Sequence, residues 1–270
     1  MDLNGRCAVV TGGGHGIGRA LVEALAARGA RVVVADLHAA RAEKVAERVG
    51  GRAVSCDVGE PEAVAELAAE AARAFGPVEV FVSNAGVTDD PAVGVDGTVE
   101  GVRRIVDVNL LAHVWAAKAV LPGMIERGRG WLVQTISSAA LITGPSGMGY
   151  TLSKHGALGF AEWVALNHGH SGIRVTCLCP NAVNTGMLGR DEENESAAER
   201  DPVLLAMLGD VVEPELCAAM TLEAMEAGRF LVLPHPRVAD SFLRKATDYD
   251  AWLTRTNQRL RRMRGEPAST

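Results

Sequence analysis

RCAVVTGGGHGIGRALVEALAARG, residues 6–29, decides the fold. Residues 6–12 form an apolar, β-branched run that reads as a strand, and GRALVEALAARG (18–29) reads as a helix closed by Gly29. Only a glycine-rich turn lies between them, so a strand end feeds directly into a helix start. The same alternation continues outward along the chain. RVVVAD (31–36) reads as a strand, 39–49 as a charged helix, RAVSCDV (52–58) as a strand, and 61–76 as a helix opened by Pro61 and ended by Gly76. VEVFVSNAG (78–86), WLVQTIS (131–137), IRVTCLCP (173–180) and RFLVLP (229–234) read as further strands, with long helices over 98–127 and 149–169. Nearly continuous apolar strands suit a parallel sheet covered on both faces. Alternation with helices of this length gives right-handed βαβ crossovers. The expected fold class is therefore α/β, a doubly wound parallel sheet in a single domain.

Two regions break the rhythm. Residues 186–215 begin polar and acidic (GMLGRDEENESAAERDP) and turn apolar; composition alone favours a solvated surface insertion, and the place beyond a strand's carboxyl end favours a substrate lid, which is the expected role. Residues 236–270 form an arginine-rich helical tail on a catalytic body spanning 1–235.

Composition narrows the function classes. The chain has 270 residues, 48% hydrophobic and 22% charged, with a net charge of −6. That balance suits a globular protein and argues against nucleic acid as a partner. No uninterrupted apolar run of membrane-spanning length is present, and the first residues lack the order of a secretory signal, so a cytoplasmic location is expected. Five cysteines without a CxxC pair read as reduced thiols. His168 and His170 have no acidic or thiol partner at ligand spacing, so no metal is expected. Arginine outnumbers lysine 23 to 4, which makes every lysine worth examining.

TGGGHGIG (11–18) has the spacing of a phosphate-binding turn. Gly12 permits the tight turn, while Gly16 and Gly18 allow a backbone to approach a pyrophosphate and a helix to pack closely on the sheet. His15 and Ile17 belong to the same candidate cofactor-binding octet. Asp36 ends the second strand 18 residues after Gly18, near the spacing expected of an acid that binds an adenosine ribose. Its carboxylate would repel a 2′-phosphate and Leu37 follows it, so NAD is expected in preference to NADP.

Tyr150 and Lys154 stand four apart in a predicted helix and share a face. A phenol with a pKa near 10 is a poor base at neutral pH, and an adjacent ammonium favours its ionised form. Together with the glycine octet, this pair makes the chain resemble the short-chain dehydrogenase/reductase family in its compact form, over about residues 4–235. TGxxxGxG fits 11–18, and SNAG (83–86) matches the family's NNAG with Ser83 substituted. VNLLAHVWAAKAVLPGM (108–124) matches the family's long fourth helix, and PNAVNT (180–185) matches PGxVxT with Asn181 in place of glycine.

The resemblance implies a Rossmann-like fold and a set of roles. Tyr150 would be the general acid/base, Lys154 would lower its pKa and hold the nicotinamide ribose, and Asn109 would orient a water linking Lys154 to solvent. Asp57 and Val58 would contact adenine. Asn84, Ala85, Gly86, Pro180, Val183 and Thr185 would complete the cofactor site. A serine would hydrogen-bond the substrate oxygen. Ser137 lies 13 positions before Tyr150 and takes the place of the family's catalytic serine when GWLVQTIS is aligned with its strand, with Ser138 as the alternative.

Ala139, Leu141, Ile142, Met148, Asn181, Met187 and Leu188 would line a mostly apolar substrate pocket beside Ser137 and Tyr150. The expected function is NAD-dependent interconversion of a secondary alcohol and a ketone, on an apolar or cyclic small molecule. A biosynthetic ketoreductase and a non-catalytic NAD(H) sensor are the alternatives. The family also implies a homo-oligomer, dimer or tetramer.

Overall fold

The computed structural model describes residues 2–88, 94, 95, 97–144, 146–188 and 209–266. Seven strands form one parallel sheet: β1 (Cys7–Thr11), β2 (Arg31–Asp36), β3 (Arg52–Ser55), β4 (Val78–Ser83), β5 (Gly130–Thr135), β6 (Ile173–Leu178) and β9 (Leu231–Val232). Their order is β3-β2-β1-β4-β5-β6-β9. The chain builds outward from β1 in one direction and from β4 in the other, so a crevice opens where the order reverses. Every residue of β1, β4 and β5 is buried, as suits their mostly apolar character, and buried Glu79 of β4 is paired with Arg6 and Arg129.

Helices cover both faces. On one, Phe81 and Leu132 pack with Leu67 of α3 (Pro61–Phe75), Met124 of α5 (Ala112–Glu126) and Val164 of α6 (Met148–His168). On the other, Val10 and Val34 pack with Leu21 and Leu25 of α1 (Gly16–Ala27), Val45 of α2 (Ala39–Val49) and Leu222 of α7 (Pro214–Glu226). Proline stands in the first turn of α3 and α7, where its missing N–H has no intrahelical partner to lose.

Helix α4 (Val99–Val106) runs into α5 through a π-helical turn, Asp107–Leu111. A π turn is the usual mark of a functional position within a helix, and here it carries Asn109. The continuous helix Val99–Glu126 is long and apolar enough by composition to cross a membrane. In this fold its apolar character serves the core, because α5 packs against α3, β4 and β5.

Of the expected lid, residues 189–208 lie outside the described residues. What flanks them was not apparent from the sequence: β7 (Ala182–Val183) pairs in parallel with β8 (Val211–Val212) in a separate two-stranded ladder. The arginine-rich tail forms two helices, α8 (Pro236–Thr247) and α9 (Tyr249–Met263). The break falls at Asp248, whose carboxylate caps α9 by accepting from the Ala251 N–H at 2.9 Å.

Candidate active site

A cleft of about 350 Å³ opens at the carboxyl ends of β1 and β4, and it runs from Asp36 and Leu37 at one end to Tyr150, Asn181 and Met187 at the other. Its floor is the glycine octet. A Cβ on Gly18 would lie 2.0 Å from the Gly12 carbonyl oxygen, and one on Gly14 would lie 2.8 Å from Oδ2 of Asp36. Only a backbone without side chains fits between β1 and α1 here. Asn84 holds the turn from β4: its Nδ2 donates to the carbonyls of Thr11 at 3.0 Å and Gly12 at 3.3 Å. The Thr11 hydroxyl in turn accepts from the backbone N–H groups of Asn84 and Ala85. A bare-backbone cradle opening at a helix start is the donor set that a dinucleotide pyrophosphate requires, so these residues fit such a cofactor.

At the far end Asp36 is buried, its Oδ2 accepting from the Gly14 N–H and its Oδ1 from the His38 N–H, both at 3.0 Å. Burial pushes this carboxyl up, but the His15 side chain and the two amides outweigh it and hold it below the ordinary carboxylate range. His15 Nδ1 stands 3.8 Å from Oδ2, an ion-pair distance and not a hydrogen bond. Leu37 is free of arginine as the sequence suggested, yet Arg41 from the first turn of α2 also lines the cleft. Arg104 does the same from α4, and it forms a two-pronged ion pair with Asp57 at 3.1–3.2 Å. Neither cation was predicted, because each comes from a separate helix with no motif around it.

The chemical end is assembled by α6 and β5. Lys154 is 4% exposed, its Nζ donates to the Thr135 carbonyl at 3.3 Å, and it lies 5.7 Å from the Tyr150 ring centre. Burial pushes the Lys154 ammonium down to about 8. Asn109 is fully buried, and its side-chain amide bridges the Val87 backbone and the Ser153 hydroxyl of α6, to which Nδ2 donates at 3.4 Å. Its Oδ1 accepts from the Val87 N–H and its Nδ2 donates to the Val87 carbonyl, both at 2.8 Å. That clamp fixes the strand end Asn84–Val87 as a cleft wall. Behind it lies buried His113, pushed down to about 3 by burial, with the Lys154 charge adding to the effect.

The two serines separate. Ser137 lines the cleft, and its Oγ accepts from the Ala139 N–H at 3.1 Å, which opens the short 3₁₀ turn Ser138–Ala140. Ser138 turns aside and donates to Asn181 Oδ1 at 2.9 Å. Asn181 needs no glycine-like backbone, since no described non-glycine residue has a positive φ. Its N–H donates to Nδ1 of His235 at 3.1 Å, and Nε2 of His235 faces the Ala182 carbonyl at 3.1 Å. His235 therefore bridges the loop as a neutral ring with its proton on Nε2.

All the residues predicted to bind cofactor line this one cleft, as do Ser137, Asn181 and Met187. Other predicted residues fall elsewhere. Asn109 stands behind the cleft wall. Ala139 and Leu141 are buried away from the cleft, because the 3₁₀ turn folds them inward, with Leu141 packed into the core. Met148 is exposed at the start of α6 and does not line the cleft, and the Leu188 side chain lies outside the described residues.

The comparisons with known proteins agree with this geometry. Residues 6–196 match the family described as short chain dehydrogenase. The chain is 37% identical over 201 residues to 2,5-dichloro-2,5-cyclohexadiene-1,4-diol dehydrogenase of Sphingobium indicum, covering 73% of this chain and 80% of that one. It is 32% identical over 218 residues to cyclohexanol dehydrogenase of Acinetobacter sp., covering 79% and 84% of the two chains. Among solved structures, a short chain dehydrogenase/reductase from Burkholderia phymatum in complex with NAD superposes with a TM-score of 0.81 at 26% identity, over 93% of this chain and 96% of that one. The chain belongs to the short-chain dehydrogenase/reductase family, oxidoreductases acting on CH–OH groups.

Proposed function

We propose that the protein is an NAD-dependent dehydrogenase that interconverts a secondary alcohol and its ketone on an apolar, cyclic small molecule. The observation that carries this reading is the convergence of Tyr150, Lys154 and Ser137 on the cleft whose floor is the glycine cradle. When bound, the nicotinamide supplies the hydride acceptor or donor.

The chain's own residues do the rest. Tyr150 takes the proton from the substrate hydroxyl. The Lys154 ammonium stabilises the phenolate, and the Thr135 carbonyl holds it in place. Ser137 donates a hydrogen bond to the substrate oxygen as its charge develops. Asn109, with its amide already bound to Val87, orients a water linking Lys154 to solvent through its backbone. Asp57 and Val58 contact the adenine, with Arg104 holding the Asp57 carboxylate in position.

The preference for NAD rests on Asp36, whose buried carboxylate would face a 2′-phosphate without room to turn away. Arg41 is the opposing charge. The cyclic substrate class rests on relatives named for cyclic alcohols, (+)-borneol dehydrogenase 1 of Salvia officinalis included. Five buried, unpaired cysteines suit a reducing, cytoplasmic setting. Exposed Leu152, Trp163 and Leu166 on α6 support a homo-oligomer that pairs through this helix.

The test is turnover of cyclohexanol and borneol with NAD and with NADP. NAD should give the higher kcat/KM, and Tyr150→Phe should keep NAD binding while losing about 10²- to 10⁴-fold in turnover. Preference for NADP would overturn the reading of Asp36, and undiminished turnover in Tyr150→Phe would overturn the mechanism.

A further inference from the structure

Lysine is scarce in this chain, 4 against 23 arginines, and two of the four are buried. Lys154 belongs to the chemistry described above. The other, Lys245, lies in the C-terminal tail, outside every motif. It is 6% exposed, and no carboxylate pairs with it among the described residues. Its Nζ donates to the Leu141 carbonyl at 2.8 Å, across 104 positions of sequence. The ammonium also lies 5.3 Å from the Tyr249 ring centre and 5.2 Å from that of Trp252, so two aromatic faces of α9 enclose it.

An ammonium is costly to bury, and an arginine's broad fork would not fit a single carbonyl between two rings. The hydrogen bond to the Leu141 carbonyl and the two ring faces offset that cost, and in doing so they tie α8 and α9 to the Leu141 backbone. Leu141 ends the 3₁₀ turn: its N–H donates to the Ser138 carbonyl, and the Ala140 N–H donates to the Ser137 carbonyl. A rigid path of three residues therefore joins Lys245 to Ser137.

We propose that Lys245 is a positioning residue for the Ser137 turn, held by the Tyr249 and Trp252 rings, so that the C-terminal helix pair belongs to the active site's support. This rests on the reading of Ser137 as the group that binds the substrate oxygen. Lys245 touches neither substrate nor cofactor. It acts by denying the turn the freedom to shift, and a displacement near 1 Å at such a group can cost about 100-fold.

The experiment is a double-mutant cycle on the full chain, with cyclohexanol turnover and NAD binding measured separately. Lys245→Met removes the donor and keeps the stem's length. It should lower kcat/KM about tenfold or more, leave the NAD dissociation constant within twofold, and add almost nothing in a Ser137→Ala background. Equal losses in both backgrounds would mean that Lys245 does not act through Ser137, and parallel loss of NAD binding would mean a general structural role. Either result overturns the proposal, as does unchanged kcat/KM in Lys245→Met. Should Lys245→Met fail to fold, Tyr249→Leu, which keeps the donor and removes one wall, carries the same cycle with the same criteria. Full turnover in Ser137→Ala would overturn the reading of Ser137 instead, so the two failures are distinguishable.

Discussion

The two ends of the cleft are built in different ways. At the Asp36 end, bare backbone and its amides dominate: Gly14 and His38 both donate to Asp36, and the glycine octet lies between β1 and α1 without a side chain to spare, with Asn84 reaching the turn from β4. At the substrate end, distant side chains hold short loops. His235 bridges Asn181 and Ala182 from more than 50 positions away, and Lys245 reaches Leu141 across 104. The first end tolerates almost no change of residue type, whereas the second depends on a few anchors delivered by the C-terminal segment. A fold can thus keep one cofactor site while its substrate end is re-anchored from elsewhere.

The sharpest way to break this contrast is Gly18→Ala. The new methyl would meet the Gly12 carbonyl oxygen at 2.0 Å and Asn84 Nδ2 at 2.6 Å, the latter held by its own hydrogen bonds to the Thr11 and Gly12 carbonyls. We expect a loss of about 2–4 kcal/mol in unfolding free energy and at least tenfold weaker NAD binding, read by denaturant titration and NAD titration. A variant close to wild type in both would show that the cradle is not limited by shape.

Next in size is the pair of serines. Ser137→Ala should cost about 10²-fold in kcat with NAD binding unchanged, because it removes a donor to the developing oxyanion. Ser138→Ala should cost less, acting only by loosening Asn181. Steady-state kinetics on both variants would decide the matter, and a larger loss at Ser138 would reverse their roles.

The smallest effect is in the pH dependence of stability. Burial pushes His235 below the ordinary histidine value, against the Ala182 carbonyl and Asp210. As pH falls below about 6.5 the unfolded chain takes up the proton first, so the stability due to neutral His235 is present above that value and is lost toward the lower folded one. Buried His113 adds a loss of the same sign. Denaturant titrations at pH 7.5 and 5.5 should therefore show a smaller drop for His235→Asn than for wild type. An equal drop would assign the whole dependence to His113 and other groups.

Much of the molecule was legible in the sequence. Strands β1, β2 and β4, the helices α1 to α3, Asp36 at its strand end and the Tyr150–Lys154 pair follow from patterns spanning fewer than 20 residues. Such patterns can be read because their physics restricts residue type: a parallel strand covered on both faces must be apolar, a cradle must be glycine, and a shared helix face needs a spacing of four. The choice of Ser137 also came from local register, and the structure separates the two serines by giving Ser138 to Asn181.

Arg41, Arg104, His235 and Lys245 could not be read in that way. Arg104 meets a carboxylate on another element, His235 and Lys245 meet a backbone carbonyl or amide that every chain offers everywhere, and Arg41 only lines the cleft from its own helix. The partner's residue type records nothing of the contact, as with Lys245 and the Leu141 carbonyl. The inward fold of Ala139 and Leu141 was hidden for a related reason, since a single 3₁₀ turn redirects side chains without any change in polarity. The sequence by itself determined the sheet, the glycine turn and the Tyr150–Lys154 pair, because these depend on what a residue is. Only the tertiary structure decided what holds the substrate end in place, because that depends on where the chain returns.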